Sequence, residues 1–231
     1  MLEMKNVSKV YRTEMVETHA LHGLDLVVRP GEFLAVTGPS GSGKTTFLNI
    51  AGLLEELTGG EYRLDGIDIR RLDDRARSKL RNEKIGFVFQ SFNLIPDLDL
   101  YDNVDVPLRY RGLPRAERKQ RITQALERVG LASRQHHYPA ELSGGQQQRV
   151  AIARAIAGDP KLLLADEPTG NLDSAMAREV MQLLEELNAQ GTIVLLVTHD
   201  PEIAARAQRN VHIVDGIASD VERVRTLVKS A

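Results

Sequence analysis

The eight residues 38–45, GPSGSGKT, carry the first chemistry legible in this chain. Gly38, Gly41 and Gly43 let the backbone curl until successive N–H groups point at a single anion, and a helix starting just behind them adds the positive end of its dipole. The spacing G-x-x-x-x-G-K-[ST] is met at every fixed position. In such a loop Pro39, Ser40 and Ser42 complete the cradle and Lys44 reaches the β- and γ-phosphates of a nucleoside triphosphate. Thr45 ligates Mg²⁺, and Thr46 bonds the α-phosphate. The plain alternative is an ordinary glycine-rich turn, and a strand before with a helix after weighs against it.

A second set of polar residues stands where apolar runs stop. KLLLADE at 161–167 buries leucines and then delivers Asp166 and Glu167. Open α/β sheets bind ligands beyond the C-terminal ends of their strands. Asp166 is therefore placed to hold Mg²⁺ through water, and Glu167 to polarise the water that attacks the γ-phosphate. Gln90 follows IGFVF, and His199 follows TIVLLVT, in the same manner. An amide there reaches Mg²⁺ or the attacking water, and an imidazole there hydrogen-bonds γ-phosphate. Alone, each would be a structural or solvated residue. Repeated around one loop, they make Lys44, Gln90, Glu167 and His199 the candidate catalytic groups of an ATPase.

Two further segments are less specific by themselves. LSGGQ at 142–146 precedes a helix and offers the Ser143 hydroxyl and the N–H groups of Gly144 and Gly145. That is either a second anion site or a simple helix cap with Ser143 as its first residue. Tyr11, ahead of the phosphate loop, either stacks on adenine or packs as an ordinary strand tyrosine. His136 and His137 are adjacent, so their side chains diverge on regular structure, which makes a poor metal site.

These residues need elements to hold them. Alternating apolar residues predict strands over 4–11 and again through Leu24, Leu26 and Val28. Pro30-Gly31 marks a turn, and 32–38 is a buried strand running into the glycine loop. A helix is expected over 44–53, a short hairpin around Asp65-Gly66, and a strand over 85–89. Strand signals then nearly vanish between 102 and 158, where amphipathic helices are expected over 115–129 and 146–157. The strand pattern resumes at 161–167, followed by a helix over 174–189, a strand over 192–198, a hairpin around Asp215-Gly216 and a closing helix over 221–228. A helical lobe at about 91–159 is thus inserted into a core lobe made of 1–90 and 160–231. Strands alternating with helices imply an α/β fold with a mostly parallel sheet and an antiparallel flank from the N-terminal strands.

Composition narrows the partners. The formal net charge is −2 and there is no cysteine, so disulfides and thiolate metal sites are excluded. No basic stripe favours nucleic acid. No apolar run approaches a membrane span, and the N-terminus lacks a secretory signal, so any membrane role falls to a separate protein.

In order along essentially the whole chain, these segments resemble the nucleotide-binding subunit of ATP-binding cassette (ABC) transporters. The matching residues are Tyr11, Walker A at 38–45, Gln90, LSGGQ at 142–146, Walker B ending in Asp166-Glu167, the loop Asn171-Leu172-Asp173 and the switch His199. The stretch 11–24, the phrase FVFQSFNLIP and the ending PTGNLDS are similar to the macrolide-export and lipoprotein-release branch, which includes a cell-division relative. LDLYDNV at 98–104 departs from many relatives, which have threonine before the later acidic residue.

The resemblance implies a single ABC ATPase domain over 1–231 with a RecA-like P-loop NTPase core. It also implies a head-to-tail dimer, with itself or a paralogue, sandwiching two ATP with Mg²⁺. Ser143, Gly144, Gly145 and Gln146, with Asp173, would then meet the nucleotide of the opposite subunit. Integral membrane permease subunits would convert closing and opening into motion. That would hold the chain peripherally on the cytoplasmic face of the inner (plasma) membrane. Two alternatives stand beside export or lipoprotein release. One is a mechanical regulator of a membrane partner, as in the cell-division relative. The other is a soluble cassette ATPase acting on DNA or ribosomes, whose long coiled-coil insertions or paired cassettes are missing here.

Overall fold

The computed structural model describes residues 2–13 and 15–221. Five strands form the parallel part of a six-stranded sheet: β3 (Phe33–Thr37), β6 (Ile85–Phe89), β7 (Leu162–Asp166), β8 (Ile193–Val197) and β9 (Arg209–Val214). Their order is β9-β3-β8-β7-β6, and β10 (Ile217–Val221) pairs antiparallel on the β9 edge. The N-terminal strands do not extend this sheet. β1 (Leu2–Arg12), β2 (Glu17–Val28), β4 (Gly59–Leu64) and β5 (Ile67–Asp68) make a sheet of their own, in the order β2-β1-β4-β5. Pro30 and Gly31, the latter at φ 71°, turn the chain out of one sheet and into the other. The antiparallel flank is therefore a second layer.

Alternation along the central strands explains why both faces are covered. Phe33, Ala35, Leu163, Ala165, Val194 and Leu196 join one apolar cluster, while Leu34, Val36, Leu162, Leu164, Ile193 and Leu195 join the other. A strand buried on both faces reads as a continuous apolar run, because neither set of side chains meets water. The second cluster is closed by the N-terminal sheet and by α1 (Lys44–Ala51) through Phe47, Leu48 and Ile50. The first is closed by α3 (Leu100–Tyr110), α4 (Arg115–Arg128), α5 (Gly144–Ile156) and α6 (Ser174–Ala189). Three of these, α3, α4 and α5, lie between β6 and β7 in the chain, and their apolar faces are continuous with that side of the sheet.

Both Asp-Gly hairpins form as expected. Asp65 and Gly66 have φ of 52° and 81°, and Asp215 and Gly216 have 49° and 75°, the double left-handed geometry of a two-residue hairpin turn. Three helices go beyond the expected set, α2 (Asp74–Lys84), α3 and α7 (Pro201–Ala205). No helix among the described residues is long and apolar enough to cross a membrane. The closing helix expected over 221–228 lies outside the described residues apart from Val221, which ends β10.

Candidate functional site

β3 hands the chain to the loop 38–43, and α1 starts at Lys44 with Gly43 as its cap and no side-chain cap bond. The first N–H groups of a helix lack intrahelical partners, so this uncapped end faces the loop with donors. Glycine is required at both ends of the loop. A Cβ on Gly38 would stand 2.1 Å from the Ile213 carbonyl oxygen, and one on Gly43 would stand 2.3 Å from that of Ala20. Lys44 Nζ donates to the carbonyl oxygens of Gly38 at 2.8 Å and Pro39 at 2.7 Å. Ser42 is buried, and its Oγ has no partner among the described residues.

The strand order β3-β8-β7-β6 sets out the remaining polar groups in sequence. Beyond β8 come buried Thr198 and then His199. Asp166 ends β7 in register with Val197 of β8 on one side and Phe89 of β6 on the other. Gln90 follows Phe89. Burial and the neighbouring Glu167 carboxylate push the Asp166 carboxyl above its usual range, and the Lys44 ammonium pulls it back. Glu167 turns left-handed, at φ 45°, with its N–H bonded to Val197 O at 2.9 Å. Its Oε1 lies 2.7 Å from His199 Nδ1.

Gln90 is held through a reciprocal amide pair. Its Nε2 donates to Asn171 Oδ1 at 3.2 Å, and Asn171 Nδ2 donates to Gln90 O at 3.0 Å. A Cβ on Gly170 would lie 2.7 Å from Gln90 Nε2, so glycine there makes room for the amide. Tyr11 is tied to α1. Its hydroxyl donates to Glu55 Oε2 at 2.6 Å and lies 3.5 Å from Thr46 Oγ1. Lys9 Nζ sits 4.9 Å from the ring centroid and 3.1 Å from Glu55 Oε1. Burial and the Glu55 carboxylate together raise the phenol above its ordinary value. Lys9 and Glu55 escaped the sequence reasoning, since no motif or spacing marks them, and Asn171 is legible there only as part of the loop 171–173, not as the partner of Gln90.

The segment 142–146 forms a reciprocal cap. Ser143 Oγ accepts from Gln146 N–H at 3.4 Å, and Gln146 Oε1 accepts from Ser143 N–H at 3.1 Å. The first turn of α5 closes on the first turn of α6, so that a Cβ on Gly145 would lie 2.5 Å from Met176 Sδ. Asp173 caps α6 by accepting from the N–H groups of Ala175 and Met176 at 2.9 and 3.0 Å. The structure thus gathers Tyr11, 38–46, Gln90, Asp166, Glu167 and His199 around the phosphate loop. It gathers 143–146 with 171–176 as a second group. Among the described residues no hydrogen bond joins 143–146 to 38–46, and Gln90–Asn171 is the link between the two groups.

The donor set suits Mg²⁺. Mg²⁺ takes hard oxygen ligands, keeps several waters and is usually held by one or two carboxylates together with substrate phosphates. Thr45, Gln90 and Asp166 offer a hydroxyl, an amide and a carboxylate. No cluster of three or more His, Cys, Asp or Glu residues able to hold a metal occurs among the described residues. The unpartnered Ser42 Oγ adds a buried polar atom to the cradle.

Comparison with known proteins agrees with this geometry. A family model described as ABC transporter matches residues 21–170. An uncharacterized ABC transporter ATP-binding protein of Bacillus subtilis (strain 168), YknY, is 49% identical over 216 residues, covering 94% of each chain. The macrolide export ATP-binding/permease protein MacB of Azoarcus sp. (strain BH72) is 48% identical over 94% of this chain, which spans 33% of that longer protein. A solved dimeric ATP-binding cassette in a post-hydrolysis state, bound to ADP and Pi, superposes with a TM-score of 0.87 at 43% identity, covering 96% of this chain and 99% of that one. A P-loop at the end of β3, flanked by polar strand ends and followed by an LSGGQ helix, in a chain so similar to these proteins, belongs to the ABC transporter family as an ATP-binding subunit.

Proposed function

We propose that the chain hydrolyses ATP at a site completed by residues 143–146 of a second copy, and that this cycle drives a separate membrane permease of the export or lipoprotein-release type. The observation that carries hydrolysis is the 2.7 Å contact between Glu167 and His199, just beyond the ends of β7 and β8, the latter paired with the strand β3 that feeds the phosphate loop. Loop N–H groups and Lys44 bind and orient the triphosphate. Glu167 accepts the hydrogen bond of the attacking water, while His199 fixes the angle of that carboxylate and donates to γ-phosphate. Thr45, Gln90 and Asp166 would hold Mg²⁺, which supplies charge neutralisation between the β- and γ-phosphates. The Tyr11 ring, braced by Glu55, offers its face to adenine.

The dimer rests on the solved relative, which is dimeric, and on the LSGGQ group making, among the described residues, no hydrogen bond to the phosphate loop of its own chain. The permease partner rests on the MacB relative, whose name joins ATP-binding and permease functions in one chain. Glu167→Gln should cut ATP turnover by about a hundredfold or more. It should also elute as a dimer on size exclusion in saturating MgATP. A variant that stays monomeric there, at concentrations where ATP binding is demonstrated, would refute the shared site.

A further inference from the structure

α5 carries two polar side chains that turn back into the protein among its alanines and isoleucines. Gln148 is fully buried, and its Nε2 donates to Pro168 O at 2.6 Å, while its Oε1 has no partner among the described residues. A buried amide is unfavourable unless bonded, so apolar packing gives no reason for glutamine at this position. Pro168 directly follows Glu167, the residue held at φ 45°. Arg154 spreads its guanidinium fork over another loop, donating to Asn93 O at 2.5 Å and Phe92 O at 2.9 Å. Burial lowers that guanidinium from its usual value. Phe92 and Asn93 are consecutive left-handed residues, at φ 61° and 50°, two and three positions after Gln90. Such a pair persists only where its surroundings hold it.

We infer that Gln148 and Arg154 are positioning residues, which from α5 hold the backbones of the Glu167 and Gln90 loops where those side chains meet the nucleotide bound by the same chain. The inference rests on the two-copy site proposed above. It adds that each catalytic loop is gripped by the helix whose first turn reaches toward the other nucleotide. Neither residue touches substrate; each acts through a main-chain carbonyl.

Hybrid dimers separate this role from general stability. One chain carries Lys44→Ala and the other Ser143→Arg. The single intact site then uses the phosphate loop and Glu167 of the Ser143→Arg chain with Ser143 of the Lys44→Ala chain. Gln148→Met, similar in length but without a donor, is placed in one chain at a time. In the Ser143→Arg chain it should lower kcat about tenfold with KM for ATP changed by less than about twofold. In the Lys44→Ala chain, whose own Glu167 serves the inactivated site, kcat should change by less than about twofold. Equal losses from the two placements, or a loss only from the second, would overturn the inference. Arg154→Lys keeps the cation but loses the two-pronged fork. It is tested by the same asymmetry should Gln148→Met fail to fold. A parent hybrid with no turnover, once heterodimers are verified, would instead sink the two-copy reading itself.

Discussion

Glu167 and Ser143 belong to the two halves of the proposed nucleotide site, and their surroundings are opposite in character. Around Glu167 the resting chain holds unfavourable features together: two adjacent carboxyls, Asp166 pushed toward its neutral form, and a non-glycine residue in the left-handed region. Around Ser143 everything local is satisfied, with ordinary extended angles (φ −65°, ψ 159°) and a reciprocal cap. A crowded acidic strand end is relieved by a cation and its phosphates. A capped helix end gains nothing from a ligand in the free chain. The comparison teaches that one half of the proposed site is built against local stability, whereas the other is locally satisfied and, on the shared-site proposal, serves catalysis only when a second surface approaches.

The largest effects should separate the halves most sharply. Lys44→Ala and Ser143→Arg should each reduce turnover by about a hundredfold or more. Only Lys44→Ala should weaken ATP binding when the chain is dilute and monomeric, because the shared-site proposal gives Ser143 no part in the nucleotide of its own chain. Equilibrium binding of a fluorescent ATP analogue, measured beside phosphate release, checks this. Weakened monomer binding by Ser143→Arg would dissolve the distinction.

A smaller effect tests the strain assigned to the carboxylate pair. The folded-state pKa of Asp166 is raised above the ordinary carboxylate value, first by burial and then by Glu167. Ionising it therefore costs the folded chain stability. That cost is present above the folded pKa and is relieved as pH falls through it toward the ordinary carboxylate range. Without nucleotide or Mg²⁺, Asp166→Asn should be more stable than the parent at neutral pH by about 1 kcal/mol, a common size for relieving strain at a functional site. The difference should shrink on acidification. Thermal melts at two pH values provide the check, and a variant no more stable at neutral pH would remove the strain argument.

How much of this was visible in the chain follows from the range of the interactions. β3, β7 and β8 are legible because burial on both faces leaves uninterrupted apolar runs, and the two Asp-Gly turns because their geometry selects those residues. α6 matches the expected 174–189 span through its apolar stripe. α2 escaped because it buries only Leu80 and shows no stripe, α7 because it has five residues, and α3 carries a proline inside, at Pro107. The separate N-terminal sheet depends on β1 pairing with β4, which no local pattern announces. The site divides the same way. Strand-end residues are readable from where apolar runs stop. The braces are not, since Tyr11–Glu55, Gln90–Asn171 and Gln148–Pro168 join positions 44, 81 and 20 residues apart.

The smallest effect asks whether the helix end at 143 is more than a cap. Ser143→Ala removes the cap acceptor and should cost about 1 kcal/mol of stability, whereas glycine, itself a tolerable first residue, should cost only a few tenths. Both substitutions remove the same hydroxyl. If that hydroxyl meets the partner's nucleotide, turnover should fall alike in both, while the melting midpoint falls clearly only in Ser143→Ala. If turnover instead follows stability, with glycine close to the parent, the hydroxyl acts only on its own helix. The contrast with Glu167 would then concern backbone N–H groups, which both variants retain.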